Sequence, residues 1–398
     1  MNMELKQLAT SLGIESYPEE LEMIYVTTDK ETKALCDVAT LQELQTTYGA
    51  FGEYYDLVVQ AAEEIGKDRD LLAWLNLSFA FCCRATAIEA RQMPFPPFDG
   101  SVARDLFAAL VFAAEIPCMV ERYRARGFDE DMILRCVGNL WRNIWVCELT
   151  QGKIRLTLYG WLTHYTKAGI FDHKGLNYQP AVWEPKSLVL KNKTSGEFVI
   201  VMIHGRFHKN GLVLGSAGVT EEDSFDADFS EQIDAFYGHP VKDGRVQRER
   251  RTFLKSEWSA LLRPGDDVIN LHIPRNTNFD PAYVDESIAE GIALSKKHFP
   301  ELNLKGVICC SWMLDPAVAR ILGEGSKIAS FSARFEKHPV NDTSGTACMS
   351  YVFPGEHGET ETLPEKTTLQ RGVKALLLSG DCIRWTMGVM TDTLEGAV

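Results

Sequence analysis

His272 closes a short apolar run, 267–273, and an imidazole with its intrinsic pKa near neutrality takes or holds a proton at physiological pH. Side chains on a strand alternate between faces, so Val268, Asn270 and His272 share one face and Ile269, Leu271 and Ile273 the other. Two polar groups on one face are unusual for a fully buried strand. The loop that follows, 274–280, offers Arg275, Asn276, Thr277 and Asn278 as donors to an anion, with backbone N–H groups at a helix start beside them. Together these residues suit an anionic ligand next to a reacting group. A second apolar run, 306–312, places Cys309 and Ser311 on one face and Cys310 and Trp312 on the other. Ser311 brings a hydroxyl donor. Cys310 could act as a nucleophile with His272 as its partner, although a cysteine in a central strand usually only packs.

The elements that must position these groups are legible. Pro274 has no N–H and stops the first strand. Asp280 is an N-cap candidate and Pro281 fits the first helical position, where its missing N–H costs nothing. Val284, Ile288 and Ile292 then recur every four residues, and Phe299 extends the stripe; Gly291 is the one weak point of this helix. The run 306–312 is apolar on both faces, as a central strand requires. Asp315 and Pro316 repeat the cap-plus-proline start.

In several further motifs the chain resembles a two-domain bacterial acyltransferase family. The carriers are His-Ile-Pro at 272–274, SWMLDP at 311–316, GIFDHKGLNYQ at 169–179, SKIASFSARF at 326–335, TLQRGV at 368–373 and GDCIRWTMGVM at 380–390. The resemblance spans about 18–390. It implies an α+β chain: a mainly helical N-terminal N-acyltransferase domain, 1–150, followed by a GNAT-like mixed-sheet domain, 151–398. It implies an acyl-CoA-dependent N-acyltransferase, with acyl-CoA as co-substrate and no metal, acting by direct attack of a small-molecule amine acceptor. By the same resemblance the thioester sits between the two parallel strands and the pyrophosphate at 274–280. His272, assisted by Asn270, would be the base or amine-positioning group, and Ser311 a donor to the thioester or leaving thiolate. Two positions depart from that pattern. The loop 274–280 holds no glycine where GNAT loops are glycine-rich, and Cys310 stands where the resemblance leads one to expect histidine. Both feed a rival reading, a non-catalytic ligand-binding or scaffolding protein that retains a GNAT-like fold.

Composition narrows the classes further. At 398 residues two domains are expected, and 45% hydrophobic with 24% charged residues is globular. Residues 1–150 hold 13 basic and 24 acidic side chains, and 151–398 hold 28 and 31. The acidic half is a poor surface for nucleic acid or anionic membrane, so neither is expected as a partner. Ten cysteines without a C-x-x-C pair fit a reducing cytoplasm. No signal peptide is read at the N-terminus, and the apolar stretch 71–83 is short and carries Asn76 and Ser78, so it reads as a core helix.

Helices are expected at 39–64, 68–92, 101–126 and 129–150, with Ser101 and Asp129 as N-caps and a short strand at 23–26. From residue 154 the period changes. Strands are expected at 156–165, 169–178, 187–191, 198–204, 327–335, 349–353 and 382–390, and helices at 230–237 and 368–378. Arg245, Arg248, Arg250 and Arg251 form the densest basic cluster, suited to a CoA 3′-phosphate or an acidic substrate if it is more than a solvated face. His204 and His208 stand four apart in a strand end and turn, where that spacing does not converge on a metal. An exposed edge strand leaves a homodimer open.

Overall fold

The computed structural model describes residues 3–356 and 358–394. It divides into two compact units, Met1–Asp172 and His173–Val398.

The first unit is helical. Its centre is the helix Phe107–Ala125, which is buried along most of its length and accommodates Pro117. The apolar stretch read as a core helix is Arg69–Arg84, with Asp68 capping it through the N–H groups of Asp70 and Leu71. Ser101 and Asp129 cap as expected, accepting from the N–H groups of Arg104 and Met132. Two expected strands are helices instead. Residues 23–26 lie in Glu20–Thr27, and 156–165 largely in Tyr159–Thr166. In the latter, Tyr159, Leu162, Thr163, Tyr165 and Thr166 are buried, a three-to-four spacing hidden among aromatic and β-branched residues that individually favour strands. Among the described residues no helix is long and apolar enough to cross a membrane.

The unit buries charge where it can be paired. Glu115, wholly buried in the central helix, accepts from Tyr159 Oη at 2.6 Å and from Lys167 Nζ at 3.0 Å. Asp172 accepts from Tyr165 Oη, Asn139 Nδ2 and Arg142 Nη2 at 2.8–2.9 Å. Carboxylates are tolerated inside because their acceptor capacity is filled.

The second unit packs two sheets. The six-stranded sheet runs β1 (Phe171–His173), β2 (Leu176–Val182), β12 (Asp267–His272), β13 (Val307–Ser311), β15 (Thr386–Met390) and β14 (Glu336–Pro339). Only β12 and β13 are parallel neighbours among its described pairs. The second sheet runs β10 (Arg251–Leu254), β8 (Ala235–Lys242), β4 (Phe198–Met202), β3 (Ser187–Asn192) and β11 (Trp258–Leu262), with β7 (Ser230–Glu231) and β9 (Arg245–Val246) beside β8. A small ladder joins β5 (Gly205–Phe207) to β6 (Phe225–Ala227). Val268, Ile308 and Val389 of the first sheet meet Val189, Ile200 and Leu262 of the second around Trp183.

The helix Pro281–His298 covers the opposite face. Gly291 explains itself there: a Cβ on it would lie 2.2 Å from the Tyr178 ring of β2, so its backbone approaches the sheet as only glycine allows. Three further expectations change type. Residues 230–237 form β7 and the start of β8 rather than a helix. The segments 327–335 and 349–353 hold the helices Lys327–Ser332, capped by Ser326, and Met349–Val352 rather than strands. Apolar runs this short carry too few periods to separate strand from buried helix. The helix expected at 368–378 is Thr368–Leu378 with a capping box of Thr367 and Gln370.

Candidate active site

The parallel ladder between β12 and β13 runs through Ile269↔Val307, Asn270↔Ile308 and Leu271↔Cys309 and stops there. β12 continues with its outer neighbour, His272 opposite Asn177 of β2. β13 continues with its own, Cys310 opposite Met387 and Ser311 opposite Thr386 of β15. The two strands part at their C-terminal ends, next to the loop that leads into Pro281–His298.

Residues opposite one another share a face, so Asn177, Gln179, Asn270, His272 and Cys310 lie together on the face whose other half is the apolar inter-sheet core. His272 Nε2 is 2.8 Å from Gln179 Oε1. With the amide oxygen as acceptor, Nε2 carries the proton and Nδ1 keeps the lone pair. Asn270 Oδ1 is buried without a hydrogen-bond partner among the described residues. Such an acceptor costs free energy unless a donor arrives.

The other sequence-nominated groups are more constrained. Ser311 is buried and its Oγ accepts from the Met313 N–H at 3.2 Å, which turns the chain at the strand end. Burial, with Asp342 adding a smaller effect, pushes the Cys310 thiol up to about 11, so it stays protonated at neutral pH and is a poor nucleophile. In the loop, Thr277 Oγ1 donates to the carbonyls of Gly175 (3.0 Å) and Pro274 (2.7 Å). Asn278 Oδ1 accepts from the Asp280 N–H at 3.0 Å. Arg275 donates from Nη2 to the Ser350 carbonyl at 3.0 Å and stacks over Tyr351, while its Nε is buried without a partner. Asn276 is exposed and left-handed, φ 68°, a conformation asparagine tolerates in place of glycine. Asp280 holds the N-cap position without a side-chain cap bond, its carboxylate lying 3.6 Å from Lys327 Nζ. Asp315 does cap its helix, accepting from the Ala317 N–H at 2.8 Å.

Residues 39–168 match the family model of the N-acyltransferase N-terminal domain, and residues 202–390 that of the GNAT-like C-terminal domain. The chain belongs to this two-domain acyltransferase family. Solved structures share its fold at low identity. An acyltransferase mutant in complex with octanoyl-CoA is 18% identical at a TM-score of 0.68, covering 98% of this chain and 100% of that one. An acyltransferase in complex with decanoyl-CoA and teicoplanin is 18% identical at 0.67, covering 97% and 98%. A third, in complex with CoA and 10C-teicoplanin, is 17% identical at 0.67, covering 98% and 99%. No curated protein matches the chain.

Two polar groups of the acyltransferase escaped the sequence reading. Gln179 holds His272, and its signal was the polar alternation of Asn177 and Gln179 within the GLNYQ motif. His338, at the end of β14, is 6% exposed, and among the described residues neither ring nitrogen makes a hydrogen bond of good geometry, the Pro339 backbone giving only a small opposing effect; the ring stands edge-on to Trp183 at 6.0 Å between centroids. Burial lowers it to about 4, so it is neutral at physiological pH. The dipeptide His338-Pro339 was its trace in the sequence. The four arginines of the basic cluster disperse. Arg248 stacks over Phe225, Arg250 pairs with Asp228, and Arg251 lies over Phe253.

Proposed function

We propose that the chain transfers an acyl group from acyl-CoA to the amine of a small-molecule acceptor by direct attack. The observation that carries this reading is the parting of β12 and β13 beside a polar face that holds His272 and the partnerless Asn270 Oδ1. A thioester in that opening would meet Asn270 and His272 from one side. Nδ1 of His272, with Nε2 engaged by Gln179, is the lone pair that takes the proton from the attacking amine. The amine nitrogen bonds to the thioester carbon, the C–S bond breaks, and the thiolate leaves and is protonated. Ser311 serves by holding the strand end, and its hydroxyl proton remains available to the leaving sulfur, since its oxygen is used only as an acceptor.

For the pyrophosphate, the loop after β12 supplies Arg275 and Asn276, with Thr277 and Asn278 fixing its shape. Left-handed Asn276 does what a glycine does in a glycine-rich loop, turning the backbone at the helix entrance. The acceptor class is supported by the solved relatives bound to acyl-CoA and a glycopeptide. Calorimetry with acetyl-CoA, octanoyl-CoA and free CoA tests the reading, on wild type and Arg275→Ala. Dissociation constants in the micromolar range, on the order of other enzyme–substrate affinities, weakened by the substitution, are expected. A folded protein that binds none of the three overturns it.

A further inference from the structure

Two sequence motifs that the proposed reaction does not use, LDP at 314–316 and GDCIRW at 380–385, meet at the edge of the six-stranded sheet where β12 and β13 part. Ser311 and Pro339 both stand opposite Thr386, so β13 and β14 end, and β15 begins, at this edge. The Arg384 N–H donates to Asp315 Oδ2 at 2.8 Å, and Asp315 Oδ1 accepts from the Ala317 N–H at 2.8 Å. The Arg384 guanidinium is buried, donating from Nη1 to Asp381 Oδ1 (2.7 Å) and the Cys382 carbonyl (3.1 Å) and from Nη2 to the Ala217 carbonyl (2.9 Å). β9 packs against β14 and brings Arg245 to the same place, within electrostatic range of Asp315, Arg384, Asp381 and Arg320.

The donors here outnumber their acceptors. Each guanidinium carries five N–H donors. The Arg384 Nε is buried without a partner. Among the described residues the side chains of Arg245, which is half-buried, and Arg320, which is exposed, make no hydrogen bond or ion pair. Asp315 accepts one backbone N–H on each oxygen, and Asp381 Oδ1 accepts from both Arg384 and the Cys382 N–H. The Nε of Arg384 and the half-buried Arg245 guanidinium have therefore surrendered water without gaining an acceptor among the described residues, an arrangement that costs free energy until an anion completes it. Burial lowers the Arg245 pKa and Asp315 opposes that shift, which agrees with an under-compensated guanidinium.

We propose that Arg245, Arg384 and Arg320 form a binding subsite for an oxyanion, a phosphate or carboxylate carried by a molecule of the acyl-transfer reaction. The identity of that molecule rests on the acyl-CoA reading; the subsite does not. Two sources share this chemistry: the 3′-phosphate of CoA and an acidic group on the acceptor.

Thermal unfolding of the full chain in inorganic phosphate, against chloride at equal ionic strength, tests the subsite, because a ligand of the folded state raises stability by mass action. Phosphate should stabilise the wild type beyond chloride. Its apparent affinity should fall about ten- to a hundredfold in Arg245→Gln, the range of a lost charge-assisted pair, and fall also in Arg320→Gln. That exposed position keeps the test decisive if Arg245→Gln does not fold. Equal responses to the two anions, or an undiminished phosphate response in a folded variant, overturn the proposal. Calorimetry with CoA and 3′-dephospho-CoA then separates the sources. Tighter binding of CoA that disappears in the variant assigns the subsite to the cofactor, and equal binding alongside a positive phosphate result assigns it to the acceptor. Failure of both nucleotides to bind with the phosphate response intact would remove the acyl-CoA reading and leave the subsite standing.

Discussion

Gln179 Oε1 sits 2.8 Å from His272 Nε2, one strand across and one residue pair back in an antiparallel ladder where His272 faces Asn177 and Asn270 faces Gln179. The diagonal bond places the imidazole proton on Nε2. Replacing His272 by Gln should lower acyl transfer, followed by thiol release from acyl-CoA with an amine acceptor, by about 10²–10⁴-fold, while acyl-CoA affinity stays within about threefold of wild type. Gln179→Leu should give a smaller loss. A His272 variant with near-normal turnover would remove it from the mechanism.

Cys310 should be dispensable. Its thiol, held at about 11, is not ionised at neutral pH. Cys310→Ala is expected to retain activity within about threefold, far inside the 10²-fold or greater loss that removing a proton-transfer group or nucleophile brings. A loss of that larger size, with an acyl-thioester trapped on the wild type and absent from the variant, would mean covalent catalysis.

Gly291→Ala should destabilise the second unit. The new Cβ would stand 2.2 Å from Tyr178 Cε1. Overpacking costs roughly 1–3 kcal/mol, against the about 1 kcal/mol that alanine contributes inside a helix. Urea unfolding should show a lower midpoint for alanine and a lower one again for valine; a raised midpoint for alanine would contradict the close approach.

Glu115→Ala should be far more damaging than its place away from the proposed chemistry suggests. It leaves the Lys167 ammonium in the helical core with the Cys82 carbonyl but no counter-charge, and takes from the Tyr159 hydroxyl its carboxylate acceptor. Breaking a buried pair from one side costs roughly 3–5 kcal/mol. The double variant Glu115→Leu, Lys167→Met should recover much of that in thermal unfolding, and no recovery would show that the two groups act separately.

His338 should make the protein acid-sensitive. Its folded value is about 4 against an ordinary 6.5. Below pH 6.5 the unfolded chain takes up a proton that the folded chain refuses, so stability falls as pH drops from about 6.5 to about 4 and is unaffected above that window. His338→Leu should flatten this limb relative to wild type by on the order of 3 kcal/mol. His164, also lowered to about 4 by burial and then by Arg91, contributes equally to both proteins and cancels. Parallel acid limbs would place His338 in contact with a water or group that supports its charge.

Sequence patterning served well where an element repeated its period several times. The helices Pro281–His298 and Thr368–Leu378, the strands β12 and β13, and the caps Ser101, Asp129 and Asp315 all followed from local chemistry. Residues 156–165 and 327–335 did not, because aromatic and β-branched side chains of high strand propensity were overridden by burial at helical spacing. For the candidate site, the pattern put Asn270 and His272 on one face but could not show that Gln179, ninety-three positions earlier, reaches Nε2.

The sequence by itself determined the division into a helical and a sheet-bearing part, the strand–loop–helix unit at 267–298, and the residue types available for proton transfer and anion binding, because these depend on neighbours a few positions apart. Tertiary structure alone decided where β12 and β13 part, which loop side chains are spent on holding the loop, why residue 291 has no side chain, and that the Arg384 guanidinium is buried against Asp381 and the Ala217 carbonyl. Each of those depends on strand register and on which desolvated groups find partners, and both are set by contacts between segments far apart in the chain.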